Sequence, residues 1–270
     1  MYSEFYTERK TAMNDIKIIF FDIDGTLIDT QIKRVSENTL EALRRLRARG
    51  IRICLSTGRS PVSLPRFEGV TFDALITFNG SYCYDRTQTI FSQPIPPQDV
   101  RRLLANAAAL GRPVCAATKD RLAANGRDTD LVDYFAIAGL EVPVAQDFEA
   151  VCRQDVYQFM LGSRKEEYPA LMDGVPGAKI AAWWDRAVDV IPAAGGKGTG
   201  VEKTLAHFHL DRAQAMAFGD GGNDLEMFGA VGLGVAMENA SPALKAAAGD
   251  VCGHAARDGV YHYLKDHGLI

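Results

Sequence analysis

Apolar and polar positions fall in blocks along this chain, and the first block is the most informative. Ile18-Ile19-Phe20-Phe21, a run of β-favouring residues after Lys17, stops abruptly at Asp22-Ile23-Asp24-Gly25-Thr26-Leu27. The run is too short for an ordinary helix and is bounded by turn residues, which predicts a fully buried strand. Ser36 then caps a predicted helix through Arg49, with Leu40, Leu43 and Leu46 on one face and Gly50 behind it. Ile51–Leu55 is a second predicted strand, leading into Ser56-Thr57-Gly58-Arg59. Asp73–Phe78 is a third, leading into Asn79-Gly80. Strand, helix and strand in that order imply parallel pairing through right-handed crossovers.

The pattern changes near Ser81. Tyr82–Tyr84 and Thr89–Phe91 flank the turn Asp85-Arg86 as a hairpin. Helices are predicted over Asp99–Leu110, Leu131–Ala138, Phe148–Cys152 and Lys165–Met172. Between them fall strands over Val114–Thr118, Arg121–Ala124, Val156–Leu161, Lys179–Trp184 and Ala187–Ile191. This mixture reads as an α+β insertion of about a hundred residues, the size of a domain. From Gly195 the first rhythm returns. A helix over Gly198–His209 precedes a strand, Ala215–Phe218, that reaches Gly219-Asp220-Gly221-Gly222-Asn223-Asp224. Helix Leu225–Phe228, strand Gly232–Ala236 and helix Ala243–Ala248 follow, the last opened by Ser241-Pro242. Val251-Cys252 and Gly259–His267 close the chain. The expectation is an α/β core from residues 16–81 and 192–270, its sheet mostly parallel, interrupted by an α+β segment over 82–191.

At 270 residues, 47% hydrophobic and 24% charged, the chain has the composition of a soluble globular protein. A net charge of -4 offers no electrostatic case for a nucleic acid partner. No apolar segment approaches the roughly 20 residues that span a bilayer, so no membrane partner is expected. Residues 1–15 carry Glu4, Glu8, Arg9, Lys10 and Asp15 without an apolar stretch. They read as an extension that need not be ordered, not as a secretory signal, with Met13 an alternative start. Cys54, Cys83, Cys115, Cys152 and Cys252 are scattered, and most flank apolar residues. They read as reduced core thiols of a cytoplasmic protein, not as a zinc site.

Ligands of open α/β sheets bind beyond the carboxyl ends of the strands, and the polar groups of this chain collect at such ends. Asp22 and Asp24 follow the first strand, where period-2 spacing can aim both carboxylates the same way. Their repulsion, roughly a few kcal/mol at an effective dielectric near ~20, is relieved by a hard divalent cation. After the second strand, the Thr57 hydroxyl and nearby backbone N–H groups suit a phosphoryl oxygen. Lys197, between Gly196 and Gly198, adds a cation at a helix start that already favours anions. Asp220, Asn223 and Asp224 share a glycine-rich loop that lets backbone and ligand approach closely. Three look-alikes fail: Thr26 takes the third ligand place of an EF-hand, and Gly195–Thr199 lacks the P-loop spacing. Gly232-x-Gly234 lacks the third glycine of a dinucleotide fingerprint.

Taken in order, Asp-x-Asp-Gly-Thr at 22–26, Thr-Gly-Arg at 57–59, Lys197 and Gly-Asp-Gly-Gly-Asn-Asp at 219–224 resemble the four motifs of the haloacid dehalogenase-like (HAD) phosphatases. The resemblance runs over nearly the whole chain from Ile16. Asn79-Gly80, the place of the insertion and the run Gly-x-Ala-Met-x-Asn-Ala at 234–240 are similar to the Cof-type sugar-phosphatase branch. The resemblance implies a Rossmann-like, doubly wound core with residues 82–191 as a cap that closes over the site and sets specificity. It implies Asp22 as a nucleophile that forms an aspartyl-phosphate, and Asp24 as the acid and base. Acid work near neutrality would require Asp24 to rise above the ordinary aspartate value of about 3.9. Mg²⁺ would be held by Asp22, the Asp24 backbone carbonyl and Asp220, with Asp224 orienting the metal shell. Thr57, Lys197, Asn223, Gly25 and Gly58 form the implied phosphate-binding set. Arg59, Asn79, Arg127 and Trp184 are candidate substrate contacts, with Arg121, Asn125, Arg186 and Trp183 further candidates in the insertion. The implied activity is Mg²⁺-dependent hydrolysis of small phosphorylated metabolites, sugar phosphates first. A phosphomannomutase-like phosphotransferase and a non-catalytic metabolite-binding regulator on the same scaffold stand as alternatives.

Overall fold

A computed structural model of the chain describes Met13, residues 15–182 and residues 184–270. Most of the expected N-terminal extension lies outside the described residues, as does Trp183. The strands form two sheets. In the first, β1 (Ile18–Phe21) is central, with β2 (Arg52–Ser56) and β3 (Ala74–Thr77) to one side. All four residues of β1 are fully buried, as a strand covered on both faces requires. The edge beyond β3 carries the hairpin of β4 (Tyr82–Tyr84) and β5 (Thr89–Ser92), paired antiparallel. The second sheet runs in the order β7 (Leu122–Ala124), β6 (Val114–Ala117), β8 (Gln158–Gly162), β10 (Ala187–Pro192) and β9 (Ala178–Ala181), antiparallel throughout. On the other side of β1 the first sheet continues through β11 (Ala215–Gly219), β12 (Leu233–Ala236) and β13 (Asp250–Val251), all parallel.

One boundary moves. The hairpin at Tyr82–Ser92, grouped with the insertion on its pattern, belongs to the first sheet. Without it the outer edge of β3 would leave a row of backbone N–H and C=O groups unpaired. The reversal is made by Phe78–Gly80, where Phe78 and Asn79 both have φ of 51° and Gly80 has φ of 90°. A Cβ on Gly80 would lie 1.9 Å from the Gly196 carbonyl oxygen, so glycine alone lets this turn rest against the loop that carries Lys197.

The helices are α1 (Glu37–Ala48), α2 (Pro97–Ala109), α3 (Thr129–Ile137), α4 (Phe148–Val151), α5 (Tyr168–Leu171), α6 (Lys197–Phe208), α7 (Asp224–Gly229), α8 (Pro242–Ala247) and α9 (Gly259–Asp266). Ser36 caps α1 as expected, its hydroxyl oxygen accepting from the Thr39 N–H at 3.0 Å. Helices α1 and α9 pack together on the first sheet, and α6 packs with α7, giving the doubly wound core.

Period-2 alternation gives the second sheet two distinct faces. Ala116, Phe159, Leu161, Val188 and Val190 face α2 and α5 in one apolar cluster. Cys115, Ala117, Ala124 and Met160 face the other way, with Leu131 and Phe135 of α3 and with Phe78. Phe78 stacks on Tyr157 with centroids 5.4 Å apart, so an apolar contact joins the two sheets. Polar ties add to it: the Lys33 ammonium donates to the Ala136 carbonyl at 2.6 Å, and Lys179 pairs with Glu226 at 3.1 Å. The second sheet thus covers the carboxyl ends of β1, β2 and β3.

Candidate active site

The order of the first sheet reverses at β1, with β2 on one side and β11 on the other. Such a switch point opens a crevice at the strand ends. The Asp22 N–H donates to the Phe218 carbonyl at 3.0 Å, which extends the β1–β11 ladder and brings Asp22 beside the β11 loop. The Ile23 carbonyl then accepts from the Leu27 and Ile28 N–H groups at 3.0 and 2.8 Å, curling the chain back on itself. Gly25 has φ of 85°, and a Cβ there would lie 2.1 Å from Asp220 Oδ2. Glycine at this position lets the Asp220 carboxylate approach the first motif. Thr26 Oγ1 and Asn239 Nδ2 each donate to Asp220 at 3.3 Å, and Asn239 also donates to the Gly25 carbonyl at 2.7 Å.

Beneath these groups lies Lys197, fully buried, with its ammonium 2.6 Å from Asp22 Oδ1 and 2.6 Å from Asp224 Oδ1. The second Asp224 oxygen accepts the backbone N–H groups of Asp220 and Gly221 at 3.0 and 2.9 Å. Asp224 therefore orients the glycine-rich loop from behind. Carboxylate oxygens of Asp22, Asp220 and Asp224 all lie within 4.8 Å of one another. Three carboxylates against one ammonium leave the pocket strongly negative. Burial pushes the Asp22 carboxyl up to about 7 against the pull of Lys197, with Asp224 and Asp24 adding to the rise. Burial also raises Asp220 to about 8, reinforced by Asp22 and Asp224. For Lys197 burial acts downward, but the attraction of Asp22 and Asp224 prevails and holds the ammonium charged. A buried all-oxygen cluster with excess negative charge suits a hard divalent cation, and the cluster is positioned to coordinate one.

The cluster opens on a chamber of about 420 Å³ lined by Asp22, Asp24, Thr57, Gly58, Arg59, Asp220 and Asn223. Lys197 and Gly25, both in the expected phosphate-binding set, lie behind its wall. Asp24 is held by Arg59 in a two-point pair, Nε to Oδ2 and Nη2 to Oδ1, each 2.7 Å. Arg59 Nη1 is anchored on the Ser63 carbonyl at 3.0 Å. A guanidinium, not an apolar pocket, surrounds the expected acid.

Asn79 is the joint of the site. Its N–H donates to the Thr57 carbonyl at 3.0 Å, and its side-chain oxygen accepts from Asn223 Nδ2 at 2.9 Å. Its amide nitrogen donates to Asp189 Oδ2 at 3.0 Å and to Gln158 Oε1 at 3.3 Å, both in the second sheet. Tyr134 adds its hydroxyl to Asp189 Oδ1 at 2.6 Å. Gly58 leaves room for this junction, because a Cβ there would meet Asn79 at 3.1 Å and Asp189 at 3.4 Å.

Among the described residues, the other candidates in the insertion, Arg121, Asn125, Arg127, Trp184 and Arg186, are not brought to the chamber. Arg127 is exposed, away from it. Trp184 lies 5.0 Å beneath the Arg186 guanidinium, and Arg186 pairs with Asp130 and Asp133. Arg121 pairs with Asp147, and Asn125 accepts the Val114 N–H in a turn. These arginines balance acidic neighbours on the surface of the second sheet. The groups that do reach the chamber, Gln158, Asp189, Tyr134 and Met160, escaped the sequence reading, as did Asn239. Asp189 carries a usable signal, a carboxylate inside the apolar strand Ala-Val-Asp-Val-Ile-Pro. Asn239 falls in the 234–240 run already noted.

A doubly wound core with an inserted cap, and an aspartate cluster at its switch point, define a HAD-type hydrolase. Residues 19–264 match the model of the haloacid dehalogenase-like hydrolases, and the chain belongs to that family. It is 32% identical over 260 residues to the putative phosphatase YkrA of Bacillus subtilis, covering 95% of this chain and 99% of that protein. It is 29% identical over 266 residues to the B. subtilis 5-amino-6-(5-phospho-D-ribitylamino)uracil phosphatase YitU, covering 93% and 97%. Among solved structures, the HAD subclass IIB sugar phosphatase BT4131 superposes with a TM-score of 0.84 at 28% identity, covering 94% of this chain and all of that one. Family, fold and aspartate cluster together make this chain an enzyme, a phosphatase.

Proposed function

We propose that the chain hydrolyses small phosphorylated metabolites, sugar phosphates among them, with Asp22 as the nucleophile. The observation that carries the reading is the Asp22 carboxylate at the end of β1, on the chamber wall, with Lys197 behind it and Asp220 beside it. An Asp22 oxygen bonds to phosphorus as the bond to the leaving oxygen breaks, and Asp24 protonates that oxygen. Asp24 then takes a proton from the water that attacks the aspartyl-phosphate, releasing inorganic phosphate and restoring Asp22. To act, Asp24 must leave its pair with Arg59. Thr57, Gly58 and Asn223, on the chamber wall, would hold phosphoryl oxygens, while Lys197 fixes Asp22 and adds positive charge from behind. Mg²⁺, held by Asp22, Asp220 and the Asp24 backbone carbonyl, would supply further charge neutralisation at the phosphoryl group.

In this reading the second sheet and its helices act as the cap, which excludes water and sets specificity. The subclass IIB sugar phosphatase supports sugar phosphates as the first substrates to try. Five buried cysteines, none in a disulfide, support a reducing, cytoplasmic setting.

The test is turnover of a phosphorylated-metabolite panel with and without Mg²⁺, alongside Asp22→Asn. Inorganic phosphate release that needs Mg²⁺ and disappears in the variant is the expected result. Isomerised sugar phosphate without free phosphate would identify a phosphotransferase. Ligand-induced stabilisation with no turnover across the panel would identify a regulator.

A further inference from the structure

The three clustered carboxylates are not held alike. The Lys197 ammonium donates to Asp22 and to Asp224, but not to Asp220. Among the described residues the donors to the Asp220 carboxylate are two neutral groups, the Thr26 hydroxyl on Oδ1 and the Asn239 amide on Oδ2. An Asp220 oxygen nonetheless lies within 4.8 Å of oxygens of both other carboxylates, against their repulsion. The chain around Asn239 is arranged to keep its side chain in place. After β12 the Met237 N–H donates to the Gly219 carbonyl at 3.0 Å, and the Ser241 N–H to the Asp220 carbonyl at 3.3 Å. The turn that carries Asn239 is thus fastened on both sides to the backbone of Asp220 and its neighbour. The orientation of the amide is fixed as well. Its oxygen accepts the Ala255 N–H at 3.1 Å while its nitrogen faces the Gly25 carbonyl at 2.7 Å, and a flip would set oxygen against oxygen.

We infer that Asn239 is a positioning residue that holds Asp220 and the turn at Gly25 at one spacing, and so sets both the affinity for Mg²⁺ and the preference for Mg²⁺ over Ca²⁺. A lysine or arginine here could also hold Asp220, but it would cancel charge that attracts the metal. A neutral amide holds the carboxylate and leaves the negative excess of the cluster intact. The link to selectivity is geometric. Mg²⁺ demands near-ideal octahedral coordination, whereas Ca²⁺ accepts flexible arrangements. A loosened Asp220 therefore costs Mg²⁺ binding more than Ca²⁺ binding. The inference deepens the phosphatase reading and rests on it for the part the metal plays in turnover, whereas metal binding itself is measured without turnover.

Calorimetric titration of the metal-free protein with Mg²⁺ and with Ca²⁺, in wild type and Asn239→Ala, tests this. The Kd for Mg²⁺ should rise about tenfold or more in the variant. The Kd for Ca²⁺ should rise several-fold less, so the preference for Mg²⁺ shrinks. The Mg²⁺ needed for half-maximal turnover should increase in step. Lost packing alone would lower the urea midpoint and leave the ratio of the two Kd values where it was. That result, or an unchanged Kd for Mg²⁺, would overturn the inference. Ala255→Pro is the second variant. It removes only the N–H that orients the amide, and His254, with φ of -68° and ψ of 143°, already has the conformation that precedes proline. Its Kd for Mg²⁺ should rise in the same direction by a smaller factor. Should Asn239→Ala fail to fold, an unchanged Kd in Ala255→Pro decides against the inference. Mg²⁺ binding that depends on Asn239 in a protein that turns over no ester would sink the phosphatase reading and leave this one standing. Mg²⁺-dependent turnover with both Kd values untouched by Asn239→Ala would do the reverse.

Discussion

Asn79 and Asp189 are 110 positions apart in the chain, yet the Asn79 amide nitrogen lies 3.0 Å from Asp189 Oδ2 with both side chains buried. This bond spans the two sheets, and the same Asn79 side chain reaches Asn223 on the glycine-rich loop. The second sheet and the glycine-rich loop are thereby tied to one side-chain amide.

Asn79→Ala removes three side-chain bonds and takes one partner each from Asp189, Gln158 and Asn223. Such losses cost about 1–3 kcal/mol apiece, less what water recovers. Alanine also tolerates the positive φ at this position less well than asparagine. We expect denaturant unfolding to show a loss of about 2–4 kcal/mol and kcat to fall more than KM changes. Unchanged kcat would mean that the junction holds the fold without positioning the loop.

Lys197→Met strips from Asp22 and Asp224, both buried, the ammonium that bridges them. Breaking a buried pair by removing one partner costs about 3–5 kcal/mol. The penalty should be larger at pH 8 than at pH 5, because protonation of Asp22 relieves it. Urea unfolding at the two pH values measures the difference, and catalysis should be lost at both.

The raised Asp22 and Asp220 carboxyls make metal-free stability depend on pH in a definite direction. Between the ordinary aspartate value and about 7 to 8 the native state holds more protons than the unfolded chain. Stability from these groups is therefore fully present near pH 4 and is lost as pH rises through 7 to 8. A divalent cation replaces those protons. The rise in Tm on adding Mg²⁺ should be small at pH 5 and several degrees at pH 8. A Mg²⁺ effect that shrinks as pH rises would contradict the carboxylate cluster as the metal site.

Asp24→Asn keeps the shape of the side chain but cannot deliver a proton. The fall in kcat/KM, which reports transfer to Asp22 and not the later hydrolysis of the aspartyl-phosphate, should be about 10²–10⁴-fold on an alkyl phosphate. It should be much smaller on p-nitrophenyl phosphate, whose leaving oxygen needs no proton. Steady-state rates on the two esters provide the comparison, and equal losses would remove Asp24 from the acid role.

Short-range physics made much of this protein legible from its residues in order. The β1 run is buried on both faces, so its apolar continuity marks it as a central strand with no knowledge of its neighbours. Ser36 and Ser241 cap their helices through atoms three residues away, which spacing alone foretells. Asp22, Thr57, Lys197 and Asp220 could be picked out because each follows a strand or opens a helix, where backbone polarity and chain reversal leave room for ligands. Their convergence follows from parallel strands that end on one side of one sheet.

Folding settled what depends on facing and partnership. Period-2 alternation says that Gln158 and Met160 share a face, but not whether that face meets solvent, helices or the core. The second sheet turns it to the chamber, while Arg127 and Trp184 stay on other surfaces. Arg59 locks onto Asp24 from 35 positions away, and the hairpin at Tyr82–Ser92 goes to the open edge of β3. These outcomes turn on desolvation, on pairing of buried charge and on covering of strand edges. Such forces act between atoms brought together in space, and their partners leave no mark in the local order of residues.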